Sequence, residues 1–373
     1  FRMEHRSPWV PHLRGVTWDE AITDLRMHLK LERSLSDRTV EAYARDVSKL
    51  RAFAEAQQIP VAASFRAQDR MDNRHPLYIG HLGIGPDPKL AARVREADLL
   101  LVIGARLGEA TTSGYTLPMA PKMPQRLVHV YPDASELGRV YHPDLAIVSS
   151  MGPFASAVRS LSVKSGAQRK AWAASARADY EAFIKPTTTP GNVQYGEIVQ
   201  SLRAKLPDET IITNGAGNYA IWVHRFWQYR RYRTQLAPTS GSMGYGLPAA
   251  VAAKLAHPNK PVIAFAGDGC FQMTGQEFAT AVQYKLPIIV IVVDNGLYGT
   301  IRMHQEREFP GRPSGTGLIN PDFAALARAY GGHGETVVTT DEFMPAFDRA
   351  TASGKPAIIH VKLDPKAVTP ASK

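Results

Sequence analysis

Residues 267–299 read GDGCFQMTGQEFATAVQYKLPIIVIVVDNGLYG, and this stretch decides the fold of the second half of the chain. The apolar runs 262–266 and 288–293 predict two buried parallel strands, and the segment between them predicts a helix. Together they form a βαβ unit whose strands end at the same edge of a sheet. Asp268 and Asn295 are 27 positions apart in the sequence. We therefore expect them to lie side by side, at the edge where open α/β sheets bind ligands.

The residue types at this edge predict a cation and a phosphate. A carboxylate and an amide oxygen suit a hard divalent cation such as magnesium, which prefers oxygen ligands and often also holds a phosphate. Gly267 and Gly269 would let backbone N–H groups approach that phosphate. The alternative is a plain βαβ crossover in which Asp268 and Asn295 only cap turns.

The GDG triplet and the later Asp-Asn turn resemble the diphosphate–magnesium motif, GDG and then NN, of thiamine-diphosphate enzymes. The chain is most similar to their acetolactate synthase-like group. The similarity is dense over residues 214–365, including GSMGYGLPAA at 241–250, and weaker over residues 60–152, which resemble the middle domain of the family. Asp294 stands where the family has the first Asn of the pair. The second Asn, here Asn295, is the metal ligand in the family, so we expect the change to be tolerated.

The resemblance implies roles for individual residues. The metal would be held by Asp268, Asn295 and the backbone oxygen of Leu297. A bulky side chain at the position of Met243 would wedge under the cofactor, although a methionine there could also be core packing. The carbonyl of Gly241 would accept a hydrogen bond from the aminopyrimidine. The implied cofactor-binding residues are Gly217, Asn218, Tyr219, Gly241, Ser242, Met243, Asp268, Gly269, Cys270, Asn295, Leu297, Tyr298 and Gly299.

Residues 300–313 resemble the mobile segment that closes over the site in this family. Their polar, proline-bounded character is typical of a lid. A surface helix is the alternative.

The implied activity is decarboxylation or carboligation of small 2-keto acids, in which the cofactor acts as the electron sink. In the family, a glutamate from a separate pyrimidine-binding domain contacts the aminopyrimidine. Residues 1–57 read as helices, so we assign that role to neither Glu32 nor Glu41, and the catalytic residue stays unknown. We expect the pyrimidine domain to be missing and the chain alone to turn over little. A homo-oligomer or a second chain would supply that domain, and a non-catalytic remnant is the alternative.

The expected fold class is α/β, with two doubly wound, mainly parallel sheet domains and a short helical N-terminal segment. Helices are expected over residues 17–33, 36–56 and 88–96. Strands are expected over residues 60–65, 99–104 and 127–131, and residues 80–85 are rich in glycine. In the family the middle domain sometimes holds FAD, but here we expect it to be structural. The expected divisions are a helical segment at 1–57, the middle-like domain at 58–163, a linker at 164–192 centred on 186–191, and the cofactor-binding domain at 193–373.

Composition narrows the class of protein. The 373 residues contain one cysteine, Cys270, so no internal disulfide can form, which fits a cytoplasmic protein. We expect Cys270 to fill a tight site, with a reactive thiol as the alternative. No apolar run reaches the about 18 residues of a membrane span, and nothing resembles a signal peptide, so we expect no membrane association.

The net charge of +10 is compatible with binding of anionic ligands, and it is also compatible with binding of nucleic acid. Residues 225–233, RFWQYRRYR, could form a single-strand surface. Residues 25–54 resemble a core-binding segment of tyrosine recombinases, but no recombinase catalytic domain follows. We therefore expect no specific nucleic-acid binding, with a DNA-binding recombinase fragment as the rival hypothesis.

Overall fold

A computed structural model of the protein describes residues 37–159 and 167–372, without the side chains of residues 37–45 and 47. The helix predicted over residues 17–33 lies outside the described residues. The helix predicted over residues 36–56 is confirmed as the first described element.

The first half of the described chain alternates strands and helices around two small parallel sheets. In chain order its elements are α1 (Asp37–Gln57), β1 (Val61–Ser64), β2 (Tyr78–Leu82), α2 (Pro88–Glu96), β3 (Leu99–Ile103), β4 (Arg126–Tyr131), β5 (Leu145–Val148), α3 (Met151–Val158) and α4 (Ala167–Phe183). β1 pairs with β2, and β4 lies between β3 and β5. The strands predicted near β1, β3 and β4 and the helix predicted at α2 are confirmed.

Sequence reasoning misses β2, because residues 80–85 read as a glycine-rich loop. Gly80 lies inside this strand with a φ of +113°. A Cβ atom at Gly80 would lie 3.3 Å from the ring of Tyr180 on α4. This glycine therefore allows a helix to approach the strand closely, and it does not mark a turn.

Helix α4 falls within residues 164–192, the segment predicted as a linker. Ala176 and Tyr180 of this helix are buried against β2 and α2, and Asp179 pairs with two basic side chains of α2. The helix is therefore packed on the first half of the chain, whereas residues 186–191 form neither helix nor strand. The domain boundaries stay a prediction.

The second half is built on a parallel sheet with the strand order β10-β11-β9-β8-β6-β7. Its elements are α5 (Tyr195–Lys205), β6 (Ile211–Asn214), α6 (Tyr219–Phe226), β7 (Gln235–Leu236), α7 (Gly246–Ala256), β8 (Val262–Gly267), α8 (Asp268–Gln272), α9 (Glu277–Gln283), β9 (Ile289–Asp294), α10 (Gly299–Glu308), α11 (Phe323–Ala329), β10 (His333–Val337), α12 (Thr340–Ala352) and β11 (Ala357–Lys362). Every residue of β8 and β9 is buried. One hydrophobic cluster covers each face of the sheet. This two-sided burial explains why both strands read as continuous apolar runs.

The topology fixes where a site can form. β7 lies on one side of β6, and β8 and β9 lie on the other, so the strand order reverses between β6 and β8. Open α/β sheets bind ligands at the carboxyl ends of such strands. Gly267 at the end of β8 is paired with Val293 of β9. Asp268 and Asn295 therefore follow neighbouring strand ends, as the sequence predicts.

The basic and aromatic stretch at 225–233 contributes to the core. Phe226, Trp227 and Tyr229 are buried, so their rings cannot stack on nucleic-acid bases. Within the described ranges, no helix is both long and apolar enough to cross a membrane.

Two buried histidines lie where the two halves of the chain meet. The ring centroids of His81 in β2 and His224 in α6 are 5.9 Å apart, and the ring of Phe65 packs on His224. Burial lowers the pKa of His81 to about 4 and the pKa of His224 to about 3. Both side chains therefore stay neutral in the folded protein over a wide range of pH.

We predict that His224→Phe makes the folded state less sensitive to acid. The unfolded chain protonates a histidine near the ordinary pKa of 6.5, far above the folded value, so stability is lost as pH falls between the two. Between these two pKa values, one such group changes the free energy of unfolding by about 1.4 kcal/mol per pH unit. Urea unfolding over a pH series should give a shallower slope for His224→Phe than for the wild type or for a matched change at the exposed His142. Equal slopes would show that His224 is not responsible.

Candidate functional site

A pocket of about 210 Å³ opens at the carboxyl ends of β6, β8 and β9. All the predicted cofactor-binding residues except Gly241 and Ser242 line it. These are Gly217, Asn218, Tyr219, Met243, Asp268, Gly269, Cys270, Asn295, Leu297, Tyr298 and Gly299. Further lining residues include Ala216, Trp222, Thr300, Ile301, Leu363, Ala367 and Val368.

The carboxylate of Asp268 accepts three hydrogen bonds. Its Oδ1 accepts from the N–H of Gly269 at 2.8 Å. Its Oδ2 accepts from the N–H of Gly296 at 2.9 Å and from the side-chain amide of Asn320 at 2.8 Å. Burial raises the pKa of Asp268 to about 6, and the charge of Asp294 acts in the same direction. The Gly296 bond joins the turn after β9 directly to the residue after β8.

Asp294, the departure from the family motif, is buried outside the pocket lining. Its Oδ2 accepts hydrogen bonds from Nε2 of His360 at 2.7 Å and Nζ of Lys362 at 2.6 Å, and its Oδ1 accepts from Asn320 at 2.7 Å. Burial alone would raise the pKa of Asp294, but these hydrogen bonds hold it well below the usual range. The additional negative charge is therefore compensated behind the pocket.

Two glycines of the pocket region have no room for a side chain. A Cβ atom on Gly269 would lie 2.6 Å from the ring of Tyr298, and one on Gly215 would lie 2.4 Å from Sγ of Cys270. That sulfur also accepts the N–H of Gly244 at 3.0 Å. Cys270 is buried, so its thiol fills a tight space between β6 and β8, the role expected from the sequence.

Helix α10, at the start of the segment predicted as a lid, contacts the pocket wall through Thr300. The hydroxyl of Thr300 donates to Oδ1 of Asn218 at 2.9 Å and accepts the N–H of Asn218 at 3.0 Å. The helix buries none of its residues fully. The attachment of α10 is therefore local, and closure over the site stays a prediction.

The GSMG segment lines the pocket only in part. Met243 belongs to the lining and also packs on the core cluster. Gly241 and Ser242 lie outside the lining, and Ser242 is exposed. A Cβ on Gly241, whose φ is +74°, would lie 3.5 Å from Nη2 of Arg66. This segment therefore lies between the pocket lining and Arg66 of the first half of the chain.

Oxygen donors in the pocket wall fit a hard cation. An ionised carboxylate has about four acceptor positions, so the three hydrogen bonds to Asp268 leave one on Oδ1. Oδ1 of Asn295 accepts the N–H of Leu297 at 3.2 Å and keeps a second lone pair. Among the described residues, no group of three or more His, Cys, Asp or Glu side chains could hold a metal ion. A cation here would therefore also depend on amide and backbone oxygens.

Several residues that shape the site are missed by sequence reasoning. Thr300 sits inside the lid-like segment, and Asn320 precedes a Pro-Asp pair that signals only a helix start. A signal does exist for His360, which is a polar residue in the otherwise apolar run of β11. A buried histidine in such a strand predicts a specific partner, here Asp294.

Two family models match the chain. "Thiamine pyrophosphate enzyme, C-terminal TPP binding domain" matches residues 215–361, and "Thiamine pyrophosphate enzyme, central domain" matches residues 41–158. The chain belongs to the thiamine pyrophosphate enzyme family. Asp268 and Asn295 fall within the TPP binding domain of this family. The central-domain match includes residues 41–54, and nothing supports the resemblance of residues 25–54 to a recombinase.

The curated relatives of this family member include acetolactate synthases. The isozyme 2 large subunit of Escherichia coli (strain K12) is 29% identical over 324 residues, which cover 86% of this chain and 58% of that protein. The large subunit of Corynebacterium glutamicum is 30% identical over 369 residues, covering 95% of this chain and 58% of the relative. That of Lactococcus lactis subsp. lactis is 30% identical over 303 residues, covering 78% and 50%. The chain thus spans between 50% and 58% of the length of these relatives.

We predict that Gly215→Ala destabilises the TPP binding domain, because the new Cβ would overlap Sγ of Cys270. Overpacking of this kind costs about 1–3 kcal/mol. The double variant Gly215→Ala/Cys270→Ala should recover much of that loss, because it removes the sulfur. Chemical denaturation of the single and double variants measures the coupling. Gly108→Ala is the control, because no atom lies within 4 Å of its Cβ position. Strictly additive losses would contradict the proposed overlap.

Proposed function

We propose that the pocket binds thiamine diphosphate together with Mg²⁺, and that the chain takes part in the decarboxylation or carboligation of small 2-keto acids. One observation carries the proposal. Asp268 and Asn295 line a single pocket at adjacent strand ends, inside the match to a TPP binding domain.

The proposed metal ligands are Asp268, Asn295 and the backbone oxygen of Leu297. The Leu297 carbonyl accepts the N–H of Gly299 at 2.9 Å, which keeps the turn closed and leaves a second lone pair. Mg²⁺ bound by proteins usually also takes phosphate oxygens as ligands. The role of these three residues is therefore to hold the ion where it neutralises the cofactor's diphosphate.

We propose that the turn before α6 also helps to bind the diphosphate of the cofactor. Gly217 lines the pocket with a φ of +149°, a conformation that favours glycine. Asn218 and Tyr219 follow at the N-terminus of an eight-residue helix. The first N–H groups of a helix favour an anion. We assign Met243 the role of shaping the apolar part of the pocket under the cofactor.

When bound, thiamine diphosphate supplies a ring carbon that adds to the keto carbonyl and an electron sink for the bond to CO2. The chain supplies binding, shape and exclusion of water. Trp222, Met243, Ile301 and Val368 give the pocket apolar walls. The relatives named acetolactate synthase favour a 2-keto acid as substrate.

The described pocket lining offers no second carboxylate that could activate the cofactor. Asp268 is the only carboxylate among the residues of 37–159 and 167–372 that line the pocket, and we assign it to the metal. We propose that a glutamate outside these residues reaches the aminopyrimidine, from a second copy of the chain or from a separate pyrimidine-binding domain. Ile301 of the pocket lining is exposed, and so are three large hydrophobic residues close in sequence to residues of the site, Tyr245, Met273 and Ile319. Exposed hydrophobic residues of this kind are expected of a surface that another protein domain covers.

The same observation favours a second candidate, a binding module that holds the cofactor without turnover. Turnover of 2-keto acids in the presence of a complementing pyrimidine-binding domain would separate the two. Under either proposal we place the protein in the cytoplasm, because its single cysteine forms no internal disulfide.

We predict that thiamine diphosphate raises the melting temperature only when Mg²⁺ is present, and that Asp268→Ala abolishes this rise. A ligand at 100 times its Kd stabilises the folded state by about 2.7 kcal/mol. Differential scanning fluorimetry with cofactor, metal, both or neither measures the effect. Asp98→Ala, an exposed carboxylate of the first half, is the charge-matched control. If the cofactor and Mg²⁺ raised the melting temperature of Asp268→Ala as much as that of the wild type, Asp268 would not be part of the binding site.

A further inference from the structure

Asn320 lies between two buried carboxylates at the back of the pocket. It belongs to the segment that joins α10 to α11. Its Nδ2 donates to Oδ2 of Asp268 at 2.8 Å and to Oδ1 of Asp294 at 2.7 Å. Neither Asn320 nor Asp294 lines the pocket. Asn320 therefore touches a proposed metal ligand from behind.

The chemistry of the partners fixes the orientation of the Asn320 amide. Ionised carboxylates can only accept hydrogen bonds, so the NH₂ group must face Asp268 and Asp294. The opposite end, Oδ1, accepts from Nε2 of Gln272 at 2.8 Å. Both amide protons and the carbonyl oxygen are thus used, and rotating the amide by half a turn would break all three hydrogen bonds.

The hydrogen bonds to Asp268 are distributed unevenly between its two oxygens. Oδ2 accepts two, from Asn320 and from the N–H of Gly296, whereas Oδ1 accepts one. With about two acceptor positions per carboxylate oxygen, Oδ2 is saturated and Oδ1 keeps one position. A cation in the pocket would therefore meet Oδ1.

We propose that Asn320 is a positioning residue that fixes the Asp268 carboxylate with Oδ1 as its metal-binding oxygen. The inference rests on the proposed function of the pocket. A second consequence of the same contact is that the NH₂ group, like the N–H of Gly296, is shared by the two carboxylates and offsets their mutual repulsion. Without it, Asp268 would lose a donor on Oδ2 and could turn that oxygen towards the metal or away from it.

The test is a Mg²⁺ titration at saturating thiamine diphosphate, followed by tryptophan fluorescence, to which Trp222 of the pocket lining contributes. Asn320→Leu has a similar volume and no donors. We expect it to weaken Mg²⁺ binding about 10–100-fold, the usual effect of removing a partner that orients a metal ligand. Asn320→Gln keeps both donors on a longer side chain and should recover part of the affinity. Gln272→Leu leaves the donors in place and should cause a smaller loss.

A purely structural role gives a different result. In that case Asn320→Leu would lower the melting temperature without metal, while the dissociation constant for Mg²⁺ would stay at the wild-type value. Asn259→Leu, at an exposed asparagine before β8, is the matched control. Wild-type Mg²⁺ affinity in Asn320→Leu overturns the inference and leaves the proposed function standing. A wild-type protein that binds neither cofactor nor metal overturns both.

Discussion

A buried carboxylate requires donors or a cation around it, and the arrangement that meets this requirement for Asp268 organises the whole site. Its partners come from three segments: Gly269 after β8, Gly296 after β9, and Asn320 before α11. These segments meet only because β8 and β9 are adjacent and end at the same level. The apolar burial of both strands therefore brings these polar groups together, and one acceptor position of Asp268 is left without a hydrogen bond.

The register of the sheet also places two side chains of the next strand, β11, beside these polar groups. Lys362 of β11 is paired with Asp294 of β9, and its ammonium group reaches the Asp294 carboxylate, as does the imidazole of His360. A slip of one residue would turn both basic side chains to the other face of the sheet. The compensation of the negative charge of Asp294 thus depends on the pairing of β11 with β9. Asn320 and the backbone N–H of Gly296 each donate to both Asp294 and Asp268, so these two shared donors link the neighbouring strand to the pocket wall.

Much of the second half of the fold could be predicted, because β8 and β9 read as apolar runs bounded by glycine and polar turns. The paired positions of Asp268 and Asn295 followed from that unit alone. Prediction from the sequence was poorer where tertiary contacts determine the secondary structure or the burial of a segment. β2 contains Gly80, which leaves room for the ring of Tyr180, and the buried aromatic residues at 225–233 look like an exposed basic patch in the sequence. Asn320 was out of reach because its role depends on two carboxylates that are distant along the chain. The cofactor-binding residues near Gly241 were predicted only from the resemblance to the family. The structure places Gly241 itself outside the pocket lining.

Anomalous diffraction from crystals grown with thiamine diphosphate and Mn²⁺ in place of Mg²⁺ would test the metal site most directly. We predict one manganese peak within about 2.5 Å of Oδ1 of Asp268, Oδ1 of Asn295 and the carbonyl oxygen of Leu297. The diphosphate should complete the coordination of the metal. A peak bound through Oδ2 of Asp268 or through Asp294, or a cofactor bound with no metal at this position, would contradict the proposed site.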